Sequence, residues 1–513
     1  MSLVIIFLLW FFSSPFFALS QPTTSPQDFL LSCGDTVGLT TGRLKFLPDK
    51  DFQSLGNTTS LKQPGLLPIL STLRFFTELQ ARKYCYVFNV TQGDKYLVRT
   101  TYYYGGFDGG TQPPVFDQII GGTKWSIVDT AEDFANGLSS YYEVVVAAVG
   151  NSLSVCLARN NNTTSHPFIS AIELSKLDDS LYNTTDLNKF ALSSIARSSF
   201  GDDARISFPD DLFNRKWNSF KDLNPVEENK NKVNPEDFWN KPPAKAFLSS
   251  ITTTKGKPLQ IQWPPGPLPN SRYYIALYFQ ENRAPSPESW RVFNVSVNGN
   301  IFFQDLNVTT NGVAVYGNEW PLSGQTNITM TPRNDMPVGP IISAGEIFQL
   351  LPLAGTTFPR DGIVAMEELA KHFKNPPIDW NGDPCLPWEN SWTGVTCNKS
   401  KHTRVVSIDL KGFEISGTLP ESIGNLTALK HLRLGGNKLW GQIPEMKTLT
   451  ALETLHLENN QFEGWIPQTL SQLPILREIF LQNNNLDGQI PDGLWKPGLN
   501  IQVSPGNRLT QPA

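Results

Sequence analysis

Residues 167–174 read PFISAIEL, and residues 340–347 read PIISAGEI. Five of the eight positions are identical and stand in the same order. Alternation of apolar residues with other residues, as in both stretches, is typical of a β-strand that turns one face to a core. The repeated stretch therefore indicates one β-strand that occurs twice, at equivalent positions of a duplicated fold.

Two further pairs of segments support the duplication. YLVRTTY at 96–102 aligns with YYIALYF at 273–279, and VFD at 115–117 aligns at the same shift with VFN at 292–294. Gly-Gly and Asn-Gly then follow at matching distance, and such pairs are hairpin turn signals. We predict two tandem all-β sandwich lobes, over residues 25–185 and 186–352, each closed by the repeated stretch.

Strand alternation predicts which side chains of the closing strands are buried. Ile169 and Ala171, like Ile342 and Ala344, are expected to face the interior of their sandwich. The glutamate of each stretch is expected to alternate outward.

The composition describes a globular chain with several domains. The chain has 513 residues, which is too long for one hydrophobic core. It is 40% apolar, 11% aromatic and 17% charged, so it is apolar enough to form several cores. The net charge is −5 and no long basic run occurs, so the chain lacks the basic region that typically binds a phosphate backbone. We expect no nucleic-acid partner.

The N-terminus has the pattern of a cleaved signal peptide. Residues 1–20 are an apolar run that ends in small residues ahead of Gln21. A membrane anchor is the alternative, but the run is shorter than the roughly 20 residues that span a bilayer. No later stretch is long enough either, so we expect a secreted chain, located outside the cell, in the cell wall or at the outer face of the plasma membrane. Direct membrane insertion is not expected after signal cleavage.

Sequons and cysteines fit an exported protein. The Asn-x-Ser/Thr acceptors for N-glycosylation are Asn57, Asn89, Asn161, Asn162, Asn183, Asn294, Asn307, Asn327, Asn398 and Asn425. Cys85 and Cys156 both lie in predicted strands, and we prefer them as a disulfide. Cys33 is then a buried free thiol, but its pairing with either of the other two stays open.

From residue 404 the sequence is periodic. The segments IDLKGFEISGTLP, LRLGGNKLWGQIP, LHLENNQFEGWIP and IFLQNNNLDGQIP repeat the spacing of the plant extracellular leucine-rich repeat. Residues 404–513 are predicted to form four turns and a partial fifth. Asn437, Asn460 and Asn484 are expected to form a ladder of hydrogen bonds inside the turns, whereas Phe413 takes that position in the first turn.

Two regions resemble known families. LSCGD, RKYCYVFNVTQGDKYLVRTTYYYGGFDG, PPVFDQIIGGTKW, VCLARNNNTTSHPFISAIELSKL and SWRVFNVSVNG resemble the tandem malectin-like domains of plant receptor-like proteins and receptor kinases. The resemblance implies a mainly β fold, with two jelly-roll sandwich lobes before a short α/β repeat solenoid.

WNGDPCLPWENSWTGVTC resembles the N-terminal cap of plant repeat ectodomains and implies a cap over residues 358–403 with a Cys385–Cys397 disulfide. A zinc site is disfavoured there, since only two cysteines and no histidine are present. The membrane span and the kinase of such relatives are not expected in this chain.

The resemblance also implies carbohydrate binding, of glucose-disaccharide or cell-wall glycan type. A sugar ring has an apolar C–H face and a polar rim, so lectin sites combine aromatic faces with amides or carboxylates. The candidate carbohydrate-binding residues are Tyr102, Tyr103, Tyr104, Phe107 and Asp108 in the first lobe and Phe279, Glu281 and Asn282 in the second. Core packing is the alternative role of the tyrosines.

Strand parity identifies the outward positions of the repeats. The candidate protein-binding residues on this concave face are His431, Arg433, His456, Glu458, Phe480 and Gln482. The alternative is the solvated face of a structural spacer.

The residues that could perform catalysis are not arranged for it. Asp202, Asp203, Asp210 and Asp211 are adjacent acids of turn type, and the five histidines are scattered. We therefore predict a non-catalytic receptor-like protein without cofactor or metal. Its predicted partners are a carbohydrate or glycoprotein ligand and a membrane-bound receptor-like protein or receptor kinase, which it would serve as a co-receptor subunit. A structural cell-wall polysaccharide-binding protein and a glycan-processing enzyme are the alternatives.

Overall fold

The computed structural model describes residues 28–400 and 402–511. The predicted signal peptide, residues 1–20, lies outside these described residues. The fold is mainly β, as predicted, with two β-sandwich lobes followed by a capped repeat solenoid.

One sheet of eleven strands, the central sheet, runs through both lobes. Its main path is, in spatial order, Leu39–Thr41, Leu44–Pro48, Phe29–Ser32, Ala171–Lys176, Lys95–Tyr102, Ser140–Ala147, Phe190–Phe200, Ala344–Pro352, Leu268–Phe279 and Val313–Gly324, with Asn218–Phe220 beside Phe190–Phe200. Ser140–Ala147 and Phe190–Phe200 pair antiparallel where the lobes meet. The two lobes are therefore joined by backbone hydrogen bonds as well as by the chain.

Smaller sheets complete each sandwich. The four-stranded sheet of the first lobe, the first-lobe sheet, has the order Tyr84–Asn89, Ser152–Arg159, Phe116–Ile120, Thr123–Val128. The corresponding second-lobe sheet has the order Leu259–Gln262, Asn327–Pro332, Trp290–Val297, Asn300–Thr309. Three-stranded sheets are formed by Phe168–Ile169, Thr72–Phe75 and Asn57–Ser60, and by Val226–Glu228, Ser249–Thr252 and Ile341–Ile342. Both predicted hairpin turns, at 121–122 and 298–299, connect strands of the four-stranded sheets.

The repeated stretch forms the same local structure in both lobes. It is divided at a buried serine, Ser170 or Ser343, and the strands on either side belong to different sheets. The backbone N–H of Ser170 donates to the Thr101 carbonyl, and that of Ser343 donates to the Tyr278 carbonyl, both at 2.9 Å. The chain therefore crosses between the two layers of each sandwich at this serine.

The crossing changes which side chains face the cores. Ile169 and Ile342 lie in the sandwich cores, as predicted. Ala344 instead belongs to an apolar cluster on the opposite face of the central sheet. Glu173 and Glu346 point away from the sandwich interior, as predicted, but both are buried beneath a further layer. Strand alternation does not continue through the break, and the outer face of the central sheet is itself covered.

The connection between the lobes and the segment that follows Phe190–Phe200 form this cover. Leu181, Trp217 and Phe247 belong to it and pack with Ala344 and Phe348 of the central sheet. The fold is thus three layers deep where the lobes meet, and charged side chains beneath the cover must find partners there because water is excluded.

A chain of alternating charges lies in this third layer. Arg99 contacts Glu143 at 2.6 Å and Glu173 at 2.7 Å, and Arg197 contacts Glu143 at 2.6 Å and Glu346 at 2.8 Å. The side chains of both arginines are 1% exposed. Glu143, in the first lobe, thus bridges an arginine of each lobe, so the ion pairs cross the boundary between the lobes.

The disulfides follow the preferred pairing. Cys85 is bonded to Cys156 across adjacent strands of the first-lobe sheet, and Cys385 is bonded to Cys397 in the cap. Cys33 is buried with a free thiol. The Cys85–Cys156 prediction and the Cys385–Cys397 pairing implied by resemblance are both confirmed.

The solenoid has two sheets with a hydrophobic stack between them, and in each sheet the strands are parallel except for the antiparallel first pair. The concave sheet has the order Val395–Cys397, Val405–Asp409, His431–Arg433, Thr454–His456, Glu478–Phe480, Asn500–Gln502, and the lateral sheet has the order Phe373–Lys374, Ser416–Gly417, Lys438–Gln442, Gln461–Gly464, Asn485–Gln489, Arg508–Thr510. The predicted asparagine ladder is present. Asn460, for example, donates to the Leu434 and Leu457 carbonyls and accepts from the Leu439 N–H. Asn507 extends the ladder into the fifth turn.

Helical segments are short throughout. The α-helices are Ala131–Ala135 and Glu367–His372, preceded by a π-helical segment, Arg360–Met366, and the 3₁₀ turns are Asp49–Asp51, Pro68–Leu70, Pro235–Asp237, Ala244–Phe247, Trp388–Asn390, Glu421–Asn425, Gln468–Gln472 and Asp492–Leu494. Within residues 28–400 and 402–511, no helix has the length and apolar character of a membrane span.

The buried charges predict an acid-dependent loss of stability. Burial alone would raise the pKa of Glu143, but Arg99 and Arg197 lower it from 4.5 to about 2. The unfolded chain therefore binds more protons than the folded chain between these values, and acidification favours unfolding. Between pH 5 and pH 2 we expect wild type to lose on the order of 3 kcal/mol more free energy of unfolding than Glu143→Gln, in chemical denaturation at each pH.

Glu236→Gln serves as the control, because this glutamate is 65% exposed and pairs with Lys241 at the surface. Its pH profile should follow that of wild type. Parallel profiles for wild type and Glu143→Gln would show that the buried charges do not set the acid sensitivity.

Candidate functional site

The first-lobe tyrosines lie in the core and not on a binding surface. Tyr102 and Tyr104 are at most 1% exposed, and Tyr103 is 7% exposed. The Tyr102 hydroxyl donates to Gln118 at 3.0 Å, and the Tyr103 hydroxyl donates to Gln63. All three tyrosines thus have the alternative role, core packing. None of these three rings has a face available to stack on a sugar.

Phe107 and Asp108 are the part of this candidate set that reaches the surface. Phe107 is half-buried and packs on Phe75 and Phe168, while Asp108 is exposed. Partial burial favours the protonated carboxyl, but hydrogen bonds from Ser165, Tyr104 and the Gly110 N–H hold the pKa of Asp108 below its usual range. The loop thus presents an aromatic edge beside a fixed carboxylate.

In the second lobe the candidate residues form an internal ion cluster. Phe279 is fully buried, and Glu281 accepts from Arg291 at 2.8 Å and from Arg283 at 2.9 Å. Although burial opposes ionisation, these arginines lower the pKa of Glu281 to about 2. The side-chain amide oxygen of Asn282, Oδ1, accepts from Arg291 at 2.6 Å. These contacts give the three residues a structural role in holding the strand ends together.

The concave sheet aligns the outward residues of successive repeats. His431, Thr454 and Glu478 are neighbours across adjacent strands, and so are Asp409, Arg433, His456 and Phe480. We call the surface formed by the six predicted protein-binding residues the concave strip; they are His431, Arg433, His456, Glu458, Phe480 and Gln482. The repeat spacing places residues of successive turns side by side although the sequence separates them by more than 20 positions.

Aromatic and charged contacts fix the middle of the concave strip. The His456 ring stacks on Phe480 with centroids 4.3 Å apart and planes 12° apart, and its Nε2 lies 3.1 Å from Glu478. Arg433 lies 3.4 Å from Asp409. The result is a flat apolar platform with charges of both signs around it.

Glu458 lies over a glycine of the preceding turn. A Cβ atom at Gly435 would lie 2.3 Å from its Oε1, so a side chain there would displace the carboxylate. The Glu458 side chain is 5% exposed, and Lys411 Nζ lies 3.4 Å from Oε1. The glycine thus lets a nearly buried carboxylate lie across the floor of the concave strip.

Three polar atoms of the concave strip have no hydrogen-bond partner among the described residues. They are Nε of Arg433, Oε2 of Glu458 and Oε1 of Gln482, all three buried. Buried polar atoms are paired in most proteins, and an unpaired one needs a reason. One unused donor and two unused acceptors therefore belong to side chains of the concave strip and lie just beneath its surface.

The cap fixes the solenoid to the first lobe. Lys83 Nζ donates to the Asp383 and Leu386 carbonyls at 2.5 and 2.8 Å, and Asn381 donates to the Cys85 carbonyl at 3.3 Å. Gly382 lies against the disulfide of the first-lobe sheet, where a Cβ atom would be 3.0 Å from Cys85 Sγ. The contacts of this junction were not predicted from the sequence, in which the glycine between Asn381 and Asp383 is their one visible signal.

The aspartates considered for catalysis serve the fold. Asp211 is buried and accepts from Arg215 at 2.9 Å and from Trp217 at 2.7 Å. Asp210 and Asp203 pair with surface lysines. In residues 28–400 and 402–511, no group of three or more His, Cys, Asp or Glu side chains is placed to hold a metal ion.

Comparison with known families and proteins agrees with this architecture. The sequence matches the malectin-like domain family over residues 31–350 and the leucine-rich repeat family over residues 451–473 and 476–497. It is 29% identical over 429 residues to the probable LRR receptor-like serine/threonine-protein kinase PAM74 of Arabidopsis thaliana. That match covers 80% of this chain and 46% of the relative, so the chain spans about half of the length of that protein.

Solved plant ectodomains share the fold of the lobes. The ANXUR2 extracellular domain of Arabidopsis thaliana superposes with a TM-score of 0.53 at 18% identity, over 63% of this chain and 96% of that one. A chain from the complex of the plant peptide RALF23 with FER and LLG2 gives 0.53 at 19% identity, over 64% and 96%. At these identities the likeness concerns the fold alone.

The junction predicts that Gly382→Ala loosens the cap. Gly382 has φ of +70° and its new Cβ would clash with the disulfide, whereas Gly256 has φ of +74° and open space around it. Gly256→Ala therefore pays the same backbone strain without the clash and is the matched control. We expect Gly382→Ala to lower the free energy of unfolding by about 1 to 3 kcal/mol more than the control, in chemical denaturation. Equal losses would contradict close packing at the junction.

Proposed function

The chain belongs to the malectin-like domain family, and from that membership we propose an extracellular recognition module that binds a peptide or protein ligand on the concave strip. The observation that carries the proposal is that Arg433, Glu458 and Gln482, three side chains of the concave strip, each have a polar atom without a hydrogen-bond partner among the described residues. Rotation of these side chains toward a ligand would pair the three atoms without first breaking a hydrogen bond that any of them makes within the protein.

The chemistry of the concave strip favours an extended peptide. A peptide backbone offers both N–H donors and carbonyl acceptors, which match the amide oxygen of Gln482 and the guanidinium of Arg433. The carboxylate of Glu458 suits a cationic side chain, and the His456–Phe480 stack suits an apolar or aromatic one. Such residues, few and central, carry most of the energy of typical protein interfaces.

The relatives suggest the cellular setting. PAM74 is described as a probable receptor-like kinase, and the FER complex contains a plant peptide and LLG2. We propose that this chain recognises its ligand outside the cell, in the cell wall or at the outer face of the plasma membrane. Its role there is recognition and not catalysis, and it acts with a membrane-bound receptor-like protein or receptor kinase, as a co-receptor subunit.

Carbohydrate binding is the second candidate function, favoured by the first-lobe loop. The exposed carboxylate of Asp108 is held in place beside the half-buried ring of Phe107. An aromatic ring beside a carboxylate suits a sugar, and the resemblance to malectin-like domains implies carbohydrate binding. A cell-wall glycan bound here without any protein ligand on the strip would make the chain a structural wall protein.

The test uses peptides selected on the whole chain from a random displayed library. Calorimetric titration of the selected peptides should give Kd values weakened roughly tenfold or more by Arg433→Ala/Glu458→Ala. Phe107→Ala/Asp108→Ala, on the first-lobe loop, should leave these values unchanged. The same titrations with glucose disaccharides and cell-wall oligosaccharides test the second candidate.

The titrations give different results depending on which of the two proposed binding sites is wrong. Peptides that bind both variants as tightly as wild type would refute the concave strip as the ligand site. Glycan binding that is lost only in Phe107→Ala/Asp108→Ala would transfer the function to the first lobe. Circular dichroism and thermal unfolding of each variant separate loss of binding from loss of fold.

A further inference from the structure

A cleft with a volume of about 530 Å³ lies between the first lobe and the repeat cap. Its walls include Val87 and Leu153 of the first-lobe sheet, Leu353 of the connection to the cap, and Glu367 and Ala370 of the cap helix. Binding clefts commonly have this size, lie between domains and are lined mostly by apolar groups. None of the contacts that carry the proposed peptide site involves this cleft.

Asn89 is directed into the cleft by strand parity. On its strand Tyr84, Tyr86 and Phe88 belong to the core of the first lobe. Cys85 therefore faces the other way, and its sulfur lies against the cap. Asn89 is on that same outward face, is exposed and lines the cleft.

Asn89 is also the acceptor of a sequon, completed by Thr91. An N-linked glycan begins at the side-chain amide of its asparagine, so its first sugar must lie where that amide lies. Of the ten sequon asparagines, all within the described residues, only Asn89 lines the cleft.

We propose that Asn89 carries an N-linked glycan whose first sugars lie in the cleft and bridge the first lobe to the cap. The proposal concerns the built-in occupant of the cleft and does not depend on the ligand of the concave strip.

The walls of the cleft match an N-acetylglucosamine residue. The acetamido methyl and the C–H face of the sugar ring suit the apolar side chains of Val87, Leu353 and Ala370. The sugar hydroxyls and the acetamido N–H suit polar groups at the margin, which include Asn188 and Glu367. Burial raises the pKa of Glu367, in agreement with its position against this apolar wall.

The experiment compares two sequons of the whole chain, produced in a eukaryotic secretory host. Thr91→Ala removes the sequon of Asn89 and keeps the asparagine. Thr59→Ala does the same for Asn57, which is exposed on a strand of a three-stranded sheet and does not line the cleft. Site-resolved mass spectrometry measures occupancy and the rate at which a peptide-N-glycosidase releases each glycan from the native protein.

We expect occupancy at Asn89 and release roughly tenfold slower than at Asn57, because the enzyme must wait for the sugars to leave the cleft. In Thr91→Ala, hydrogen exchange should rise in the cleft walls, at 87–89, 353–357 and 367–371, while Thr59→Ala leaves it unchanged. An unoccupied Asn89, equal release rates at the two sites, or unchanged exchange in Thr91→Ala would each overturn the proposal.

Discussion

The alternating ion pairs from Arg99 through Glu143 and Arg197 to Glu346 are the interaction on which the arrangement of the lobes depends. These side chains are at most 1% exposed, and removal of such charges from water is costly unless each finds partners. Their partners come from both lobes and lie under the cover of the central sheet. Separation of the lobes would leave buried charges unpaired, so the ion pairs and the continuous central sheet require the lobes to keep one relative position.

The junction with the cap extends this fixed arrangement to the repeats. Lys83 and the packing of Gly382 on the disulfide hold the solenoid against the first lobe, and the cleft beside them can take a glycan on Asn89. A ligand on the concave strip would therefore meet a surface whose position relative to both lobes is set before binding. Such preorganisation lowers the entropy cost of recognition.

Local pattern was sufficient to predict much of this fold. The repeated stretch, the hairpin turns and the repeat spacing are short-range signals, and each corresponds to an observed element. The pairing of Ser140–Ala147 with Phe190–Phe200 was not predictable, because long-range strand order leaves no mark in local alternation. The interruption at Ser343 explains why Ala344 faces the outer layer instead of the sandwich core, and the cover over that layer explains why the outward glutamates are buried. For the candidate site, residue chemistry identified aromatic and acidic groups, but their burial depends on layers contributed from elsewhere in the chain.

The most direct test of the central claim follows cooperativity across the lobes by native-state hydrogen exchange. Arg197→Met removes one charge of the network, and Lys245→Met removes a lysine whose ion pair with Asp210 is 44% exposed on each side. Exchange is measured in Tyr84–Asn89 and Trp290–Val297, neither of which forms a hydrogen bond or ion pair with Arg197 among the described residues. The account predicts that Arg197→Met lowers protection of both strands by a similar amount while Lys245→Met changes neither. Loss of protection in one lobe alone, or in neither, would show that the two lobes are stabilised independently.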